Sequence, residues 1–379
     1  MLYLDHAATT PVRREVLEAM WPYLTGEFGN PSSHHTVGER AAAALADARR
    51  RVAAVLGVRA GDVVFTSGGT EADNLAVKGI ALGSTRGRHL VTAATEHEAV
   101  LESVDYLRRL HGFEVSFVDL EPDGVVSPAA LEAALRPDTA LVTLMYANNE
   151  IGTVQDLAAL GSVTTAHGIP FHTDAVQAAG WLDLRVSDLG VDALSLAGHK
   201  IGAPKGIGLA WLRGRIPVEP LVHGGGQERG RRSGTENVAS AVGLATALEL
   251  AETDRTHAAR RLSILRDEVI ARVLADVPGA VLTGSPTSRL PNSASFCFPG
   301  TSGEAVLLEL ERRGVVSSSG SACAAGSDEP SHVLTALCVP REIAGTAVRL
   351  TFPADLTHDQ ADAAATALAA SVSAVSTLG

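Results

Sequence analysis

Short apolar runs alternate with amphipathic stretches along residues 14 to 255, a pattern that predicts strands and helices in turn. Val63 to Thr66 reads as a strand entering Ser67-Gly68-Gly69-Thr70, with a helix over Glu71 to Ile80. His89 to Ala94 predicts a strand and Glu98 to Leu110 a helix. Phe113 to Leu120, Ala140 to Ala147 and Pro170 to Thr173 predict further strands with helices between them, one over Asp156 to His167. Ala193 to Ala197 and Gly206 to Leu212 read as two more strands. The rhythm predicts an α/β fold, with a mainly parallel sheet covered by helices on both faces. Ligands of such sheets bind beyond the carboxyl ends of the strands.

The pattern changes after a long helical stretch, Glu236 to Ala275. Short strands (Ala280 to Leu282, Ser293 to Phe298, Ala347 to Phe352) then mix with helices over Gly303 to Arg313 and Thr357 to Ser376. Thr357 and Gln360 have the spacing of a capping box. A chain of 379 residues is long for one core. The expected division is a large domain over 14–255 and a smaller α+β domain built from 1–13 and 256–379.

Composition narrows the function classes. Hydrophobic residues make up 46% and charged residues 20%, which fits a globular protein with a sizeable core. A formal net charge of −12 argues against direct nucleic-acid binding, which needs clustered Lys and Arg. Two local basic runs stand out, Arg49-Arg50-Arg51 and Arg229 to Arg232, and the first reads as a solvated helix face. No apolar run is long enough to span a bilayer, and Met1 to His6 lacks the regions of a signal peptide, so the expected location is cytoplasmic with no membrane partner. Cys297, Cys323 and Cys338 are too few for a disulfide framework and lack CxxC spacing, so no metal site is expected.

Candidate chemistry gathers at predicted strand ends. Lys200 sits between two strands in Gly198-His199-Lys200, placed either to form a Schiff base with an aldehyde or simply in a solvated hairpin loop. Gly69 and Thr70 open a helix whose N–H groups could hold a phosphate, or only cap a turn. His97 follows a strand and is either functional or structural. Asn148 and Asn149 form an amide-rich turn after another strand. Asp174 ends a strand with Gln177 three residues on, and would pair with a cation or cap a helix. Together they supply a phosphate cradle, an aromatic face, a carboxylate for a ring nitrogen and an amine for an aldehyde. Pyridoxal 5′-phosphate requires that set.

The chain resembles the cysteine desulfurases, in the class V aminotransferase branch of the fold-type I pyridoxal-phosphate enzymes. The likeness runs through Tyr3-Leu4-Asp5-His6-Ala7-Ala8-Thr9-Thr10-Pro11, Asn30-Pro31-Ser32-Ser33-His34 and Thr66 to Glu71. It continues through Asn148-Asn149-Glu150-Ile151-Gly152, Gly198-His199-Lys200, Gly224 to Glu228, Arg232-Ser233-Gly234-Thr235 and Ser318-Ser319-Gly320-Ser321-Ala322-Cys323. The resemblance implies a seven-stranded sheet and a homodimer with shared active sites. It implies that Lys200 bonds the cofactor, His97 stacks on its ring, Asp174 pairs with the ring nitrogen and Gln177 with the phenolic oxygen. Gly69, Thr70 and His199 would hold the phosphate, with Thr235 reaching it from the partner subunit, and Asn149 and Arg349 would bind the substrate carboxylate. Lys200 would take the Cα proton of L-cysteine and His97 would shuttle protons. Cys323, in a small polar run expected to be mobile as in the group I enzymes, would take the sulfur as a persulfide and leave alanine.

Three departures from the family pattern are visible. Ala197 stands where a serine is usual, so one phosphate hydroxyl is missing. Arg349 is followed by Leu350-Thr351-Phe352-Pro353 rather than the commoner serine-leucine-glycine, and the sequence stops at Gly379 without a long docking tail. Competing readings are a selenocysteine lyase or other class V enzyme, and a non-catalytic homologue. The sulfur acceptor expected is a protein such as a cluster scaffold or a tRNA-thiolation relay, with a DNA- or metabolite-sulfuration partner or a cofactor pathway as alternatives.

Overall fold

The computed structural model describes residues 1–320 and 330–377. In chain order come β1 (Leu2–Tyr3), α1 (Arg14–Thr25), α2 (Thr36–Leu56), β2 (Val63–Thr66), α3 (Gly69–Gly83), β3 (His89–Thr92), α4 (Glu98–His111) and β4 (Glu114–Phe117). Then follow α5 (Pro128–Ala134), β5 (Thr139–Thr143), α6 (Leu157–Ala166), β6 (Phe171–Asp174), α7 (Val186–Leu189), β7 (Ala193–Ala197) and β8 (Gly208–Leu212). After α8 (Val238–Asp276) come β9 (Val281–Leu282), β10 (Ser293–Cys297), α9 (Gly303–Arg312) and β11 (Val315–Val316). The last elements are α10 (His332–Ala336), α11 (Arg341–Ala344), β12 (Ala347–Thr351) and α12 (His358–Ser376).

Strands β2 to β8 form one seven-stranded sheet in the order β2-β8-β7-β6-β5-β3-β4. From β7 to β4 the neighbours are parallel, and β8 is antiparallel to both β7 and β2. The chain between β7 and β8 is too short for a crossover helix, so β8 must return as the second arm of a hairpin. β5, β7 and β8 are buried along their whole length, the signature of strands covered on both faces.

The predicted strands were generally longer than the observed ones, because the ladders stop where the chain turns into the loops that carry the site. Helix α2 packs Ala41, Leu45, Ala48, Val52 and Leu56 inward at helical spacing. Arg49 falls on that stripe, and the reading of Arg49 to Arg51 as a solvated face is corrected here. Arg49 is 7% exposed and forms a fork with Glu228, Nη1 to Oε2 at 2.5 Å and Nη2 to Oε1 at 2.8 Å. Arg51 pairs with Glu249, and Arg50 alone remains in solvent with Asp47.

A second group of strands places β10 between β12 and β9, all antiparallel, and β1 pairs with β11. Helix α8 bridges two cores. Its first part, Val238 to Leu248, packs beside the large sheet, and Leu262 to Val273 pack with Phe296, Leu350 and Leu368. Helix α12 opens on the expected capping box of Thr357 and Gln360. Among the described residues no helix is long and apolar enough to cross a membrane.

Candidate active site

The carboxyl ends of β2, β3, β5, β6 and β7 open onto one cavity of about 350 Å³, within the range of small-molecule sites. Gly69, Thr70, His97, Asn149, Asp174, Gln177, His199, Lys200 and Arg349 all line it, so the structure brings together nine of the residues singled out from sequence. Thr235 does not line this chain's cavity; it is exposed on the segment before α8. Cys323 lies outside the described residues.

Lys200 ends a short helical turn, Gly198–Lys200, directly after β7. Its amine donates to the carbonyls of Ala7 at 2.5 Å and Ala8 at 2.8 Å. Gln177 Nε2 donates to the same Ala7 carbonyl at 3.0 Å, and His199 Nδ1 meets Thr9 Oγ1 at 3.1 Å. The segment 5–10 is therefore a wall of the site. Sequence reasoning placed it with the smaller domain and missed this; the available signal was its small residues within the Tyr3 to Pro11 motif.

Helix α3 begins on Gly68, which offers no side-chain cap, so the first N–H groups of a fifteen-residue helix are left for another acceptor beside Thr70. Close approach requires glycine at 208, where a Cβ would lie 2.5 Å from the Gly68 carbonyl carbon, while a Cβ on Gly69 would lie 3.0 Å from Val176 Cγ2 and 3.2 Å from Ala197 Cβ. The Ala197 methyl thus faces the cradle at the place where a hydroxyl is usual. The first turn is tied down by Glu71, which accepts from Ser67 N–H at 2.8 Å and from Arg232 Nε at 2.9 Å.

Asp174 is 7% exposed, with one carboxylate oxygen accepting from Val176 N–H at 2.8 Å. Burial raises its pKa, against the pull of His97 and Lys200. Two further buried carboxyls flank it. Burial holds both Asp73 and Glu96 well above the usual range, with Asp174 adding to each, and one oxygen of each makes no hydrogen bond among the described residues, although that of Asp73 lies 3.8 Å from His172 Nε2. Sequence reasoning missed both, since each is a single polar residue in an ordinary helix or turn. A cation placed against Asp174, such as a protonated ring nitrogen, would offset the cost of burying its charge. His97 caps α4 by accepting from Ala99 N–H through Nδ1 at 3.1 Å. His199 is pushed down to about 4 by burial, with Lys200 and Lys205 adding, so it enters the site neutral at pH 7.

Arg349 is buried on β12. Its Nη2 pairs with Asp5 at 2.6 Å and its Nη1 donates to the Asn149 carbonyl at 2.7 Å. A carboxylate bound there would share the guanidinium with Asp5 and the Asn149 carbonyl.

Beneath the site, His172 is fully buried between Thr143 Oγ1 at 2.9 Å and Ser195 Oγ at 3.0 Å. Burial takes its pKa from 6.5 to about 3. Between those two values the unfolded chain binds a proton that the folded chain refuses, so stability rises with pH across the window and is complete above 6.5. Acidification below 6.5 costs about 1.4 kcal/mol per pH unit from this group. Thermal unfolding from pH 7.5 to 4.5 should therefore show a smaller loss in His172→Gln than in the parent protein.

The class-V aminotransferase family model matches residues 2–363. The cysteine desulfurase IscS of Dictyoglomus turgidum is 45% identical over 351 residues, covering 92% of this chain and 89% of that protein. The cysteine desulfurase IscS of Methanosarcina thermophila is 46% identical over 362 residues, covering 95% and 89%. Among solved structures, a NifS-like protein superposes with a TM-score of 0.90 at 35% identity, covering 98% of this chain and 99% of that one. SspA in complex with cysteine gives 0.81 at 36%, covering 93% and 99%. The family implies pyridoxal 5′-phosphate, and the cavity fits it: an uncapped helix end for the phosphate, a buried carboxylate for the ring and an amine for the aldehyde. The chain belongs to the class-V aminotransferase family and, within it, to the cysteine desulfurases.

Proposed function

We propose that Lys200, His97 and Cys323 carry out the desulfuration of L-cysteine in this cavity. The observation that carries the reading is that the Lys200 amine, the Asp174 carboxylate and the open end of α3 line one cavity. Thr70, His199 and the N–H groups after Gly68 would hold the cofactor phosphate, and Asp174 and Gln177 the ring. When bound, pyridoxal phosphate supplies an aldehyde for amines and a ring that withdraws electrons from Cα.

Lys200 removes the Cα proton of the substrate, and Asn149 and Arg349 orient the substrate carboxylate beside it. His97 passes a proton through Nε2 at the substrate sulfur. The Cys323 thiolate attacks that sulfur: the S–S bond forms as the Cβ–S bond breaks, and the three-carbon product leaves as alanine after protonation. The terminal sulfur then passes to an acceptor protein. A homodimer is part of the proposal, with Thr235 contributed across the interface. Its support is the exposed apolar face of α1, Leu17, Trp21 and Leu24, followed by Phe28. The division into 14–255 and the remainder is likewise proposed, on the two cores that α8 joins.

The test is direct. Protein loaded with pyridoxal phosphate and given L-cysteine should release alanine while Cys323 gains the mass of one sulfur atom. Full cofactor content with no alanine would overturn the reading.

A further inference from the structure

The turn after β5 carries a second acidic residue beside Asn149. Glu150 is 5% exposed, and its Oε2 accepts a hydrogen bond from Ser331 Oγ. Ser331 is the N-cap of α10, where its hydroxyl also accepts from Leu334 N–H at 3.1 Å. On the other side of the same carboxylate lies Gly320. A Cβ placed on Gly320 would sit 3.4 Å from both Glu150 Cβ and Oε2. Glu150 therefore hydrogen-bonds the chain at 331 and lies beside it at 320, the two flanks of the stretch that contains Cys323.

Both flanks are anchored further. Ser318 forms an antiparallel bridge with Arg349, and Gly320 N–H donates to Ser318 Oγ at 3.2 Å. Arg349 Nη1 reaches the Gly320 carbonyl at 3.4 Å as well as that of Asn149. Glu150 is itself held rigidly, because its N–H donates to Asn148 Oδ1 at 2.8 Å and Asn148 Nδ2 donates to the Thr95 carbonyl at 2.9 Å. Thr95 lies two residues before His97, so one hydrogen-bonded unit joins the proton-carrying loop to both flanks.

We propose that Glu150 is a positioning residue for sulfur transfer, fixing the 331 flank of the Cys323 stretch to the turn that presents Asn149 to the cavity, while Arg349 joins the 320 flank to the same turn. The inference rests on the reading of Cys323 as the nucleophile. Glu150 touches neither the lysine nor the cofactor cradle, so its loss separates two halves of the reaction. In Glu150→Ala, alanine formation from L-cysteine should fall about 100-fold, while cofactor content and Cα deuterium exchange of L-alanine in D2O, which report Lys200, change less than about twofold. Glu150→Gln keeps an oxygen that accepts from Ser331 and should restore most of the rate.

Should Glu150→Ala fail to fold, Ser331→Ala and Ser331→Thr give the same contrast, with the split in the first and rescue in the second. Parental alanine formation in Glu150→Ala, or a parallel fall in alanine formation, cofactor content and Cα exchange, overturns the inference. Cys323→Ser is run beside these variants. If it still forms persulfide at the parental rate, the reading of the nucleophile fails, and this inference with it. If it is inactive and Glu150→Ala is not, only the inference fails.

Discussion

Lys200→Ala should lower alanine release from L-cysteine by at least about 10⁴-fold, because in the proposed mechanism one amine both anchors the cofactor and moves the Cα proton. No other lysine lines the cavity among the described residues. Lys205, the nearest in sequence, is exposed on the hairpin loop and does not line it. The position of the amine depends on the turn after β7 and on the Ala7 and Ala8 carbonyls, so a lysine elsewhere on the loop does not substitute. Borohydride treatment of the loaded parent should attach the cofactor to the peptide containing Lys200, and the variant should show no such peptide. Undiminished alanine release from the variant would remove the foundation of the mechanism.

Much of this site was legible before any coordinates. The residues involved lie where apolar strands end, and small residues at those places reveal close approach of the backbone. Lys200, Asp174 and Thr70 are each ambiguous alone and become specific only as a set. What stayed hidden were partners far apart in the chain. Asp5 meets Arg349, and Arg49 meets Glu228, through packing of elements that no local pattern relates. Arg49 sits at helical spacing from Ala41, Leu45 and Val52, yet its place in a basic run led to its reading as solvated, and the Glu228 partner left no local trace.

The buried acids illustrate a different limit. Asp73 occupies a plain helical position, one turn after Gly69, and is 1% exposed only because α3 lies over β6 and β7. Its neighbourhood to Asp174 is a product of the sheet order. Burial of a polar residue can be inferred from sequence where an amphipathic stripe is clear, but a carboxyl cluster arises from three elements at once.

Cys323→Ser should stop alanine formation, by about 10³-fold or more, while leaving cofactor content unchanged. A serine hydroxyl is far less ionised than a thiol and forms no persulfide, so the Cβ–S bond has no acceptor for its sulfur. Neither remaining cysteine can replace it. Cys297 lies in β10 at 1% exposure, and burial pushes its thiol up to about 11, so it stays protonated in the core. Cys338 is exposed after α10 but does not line the cavity. Because the proposed mechanism has Lys200 act on Cα and Cys323 on sulfur, the variant should still exchange the Cα proton of L-alanine for deuterium. Loss of that exchange together with alanine formation would mean that Cys323 supports the cavity itself, whereas its retention locates the defect at the sulfur atom.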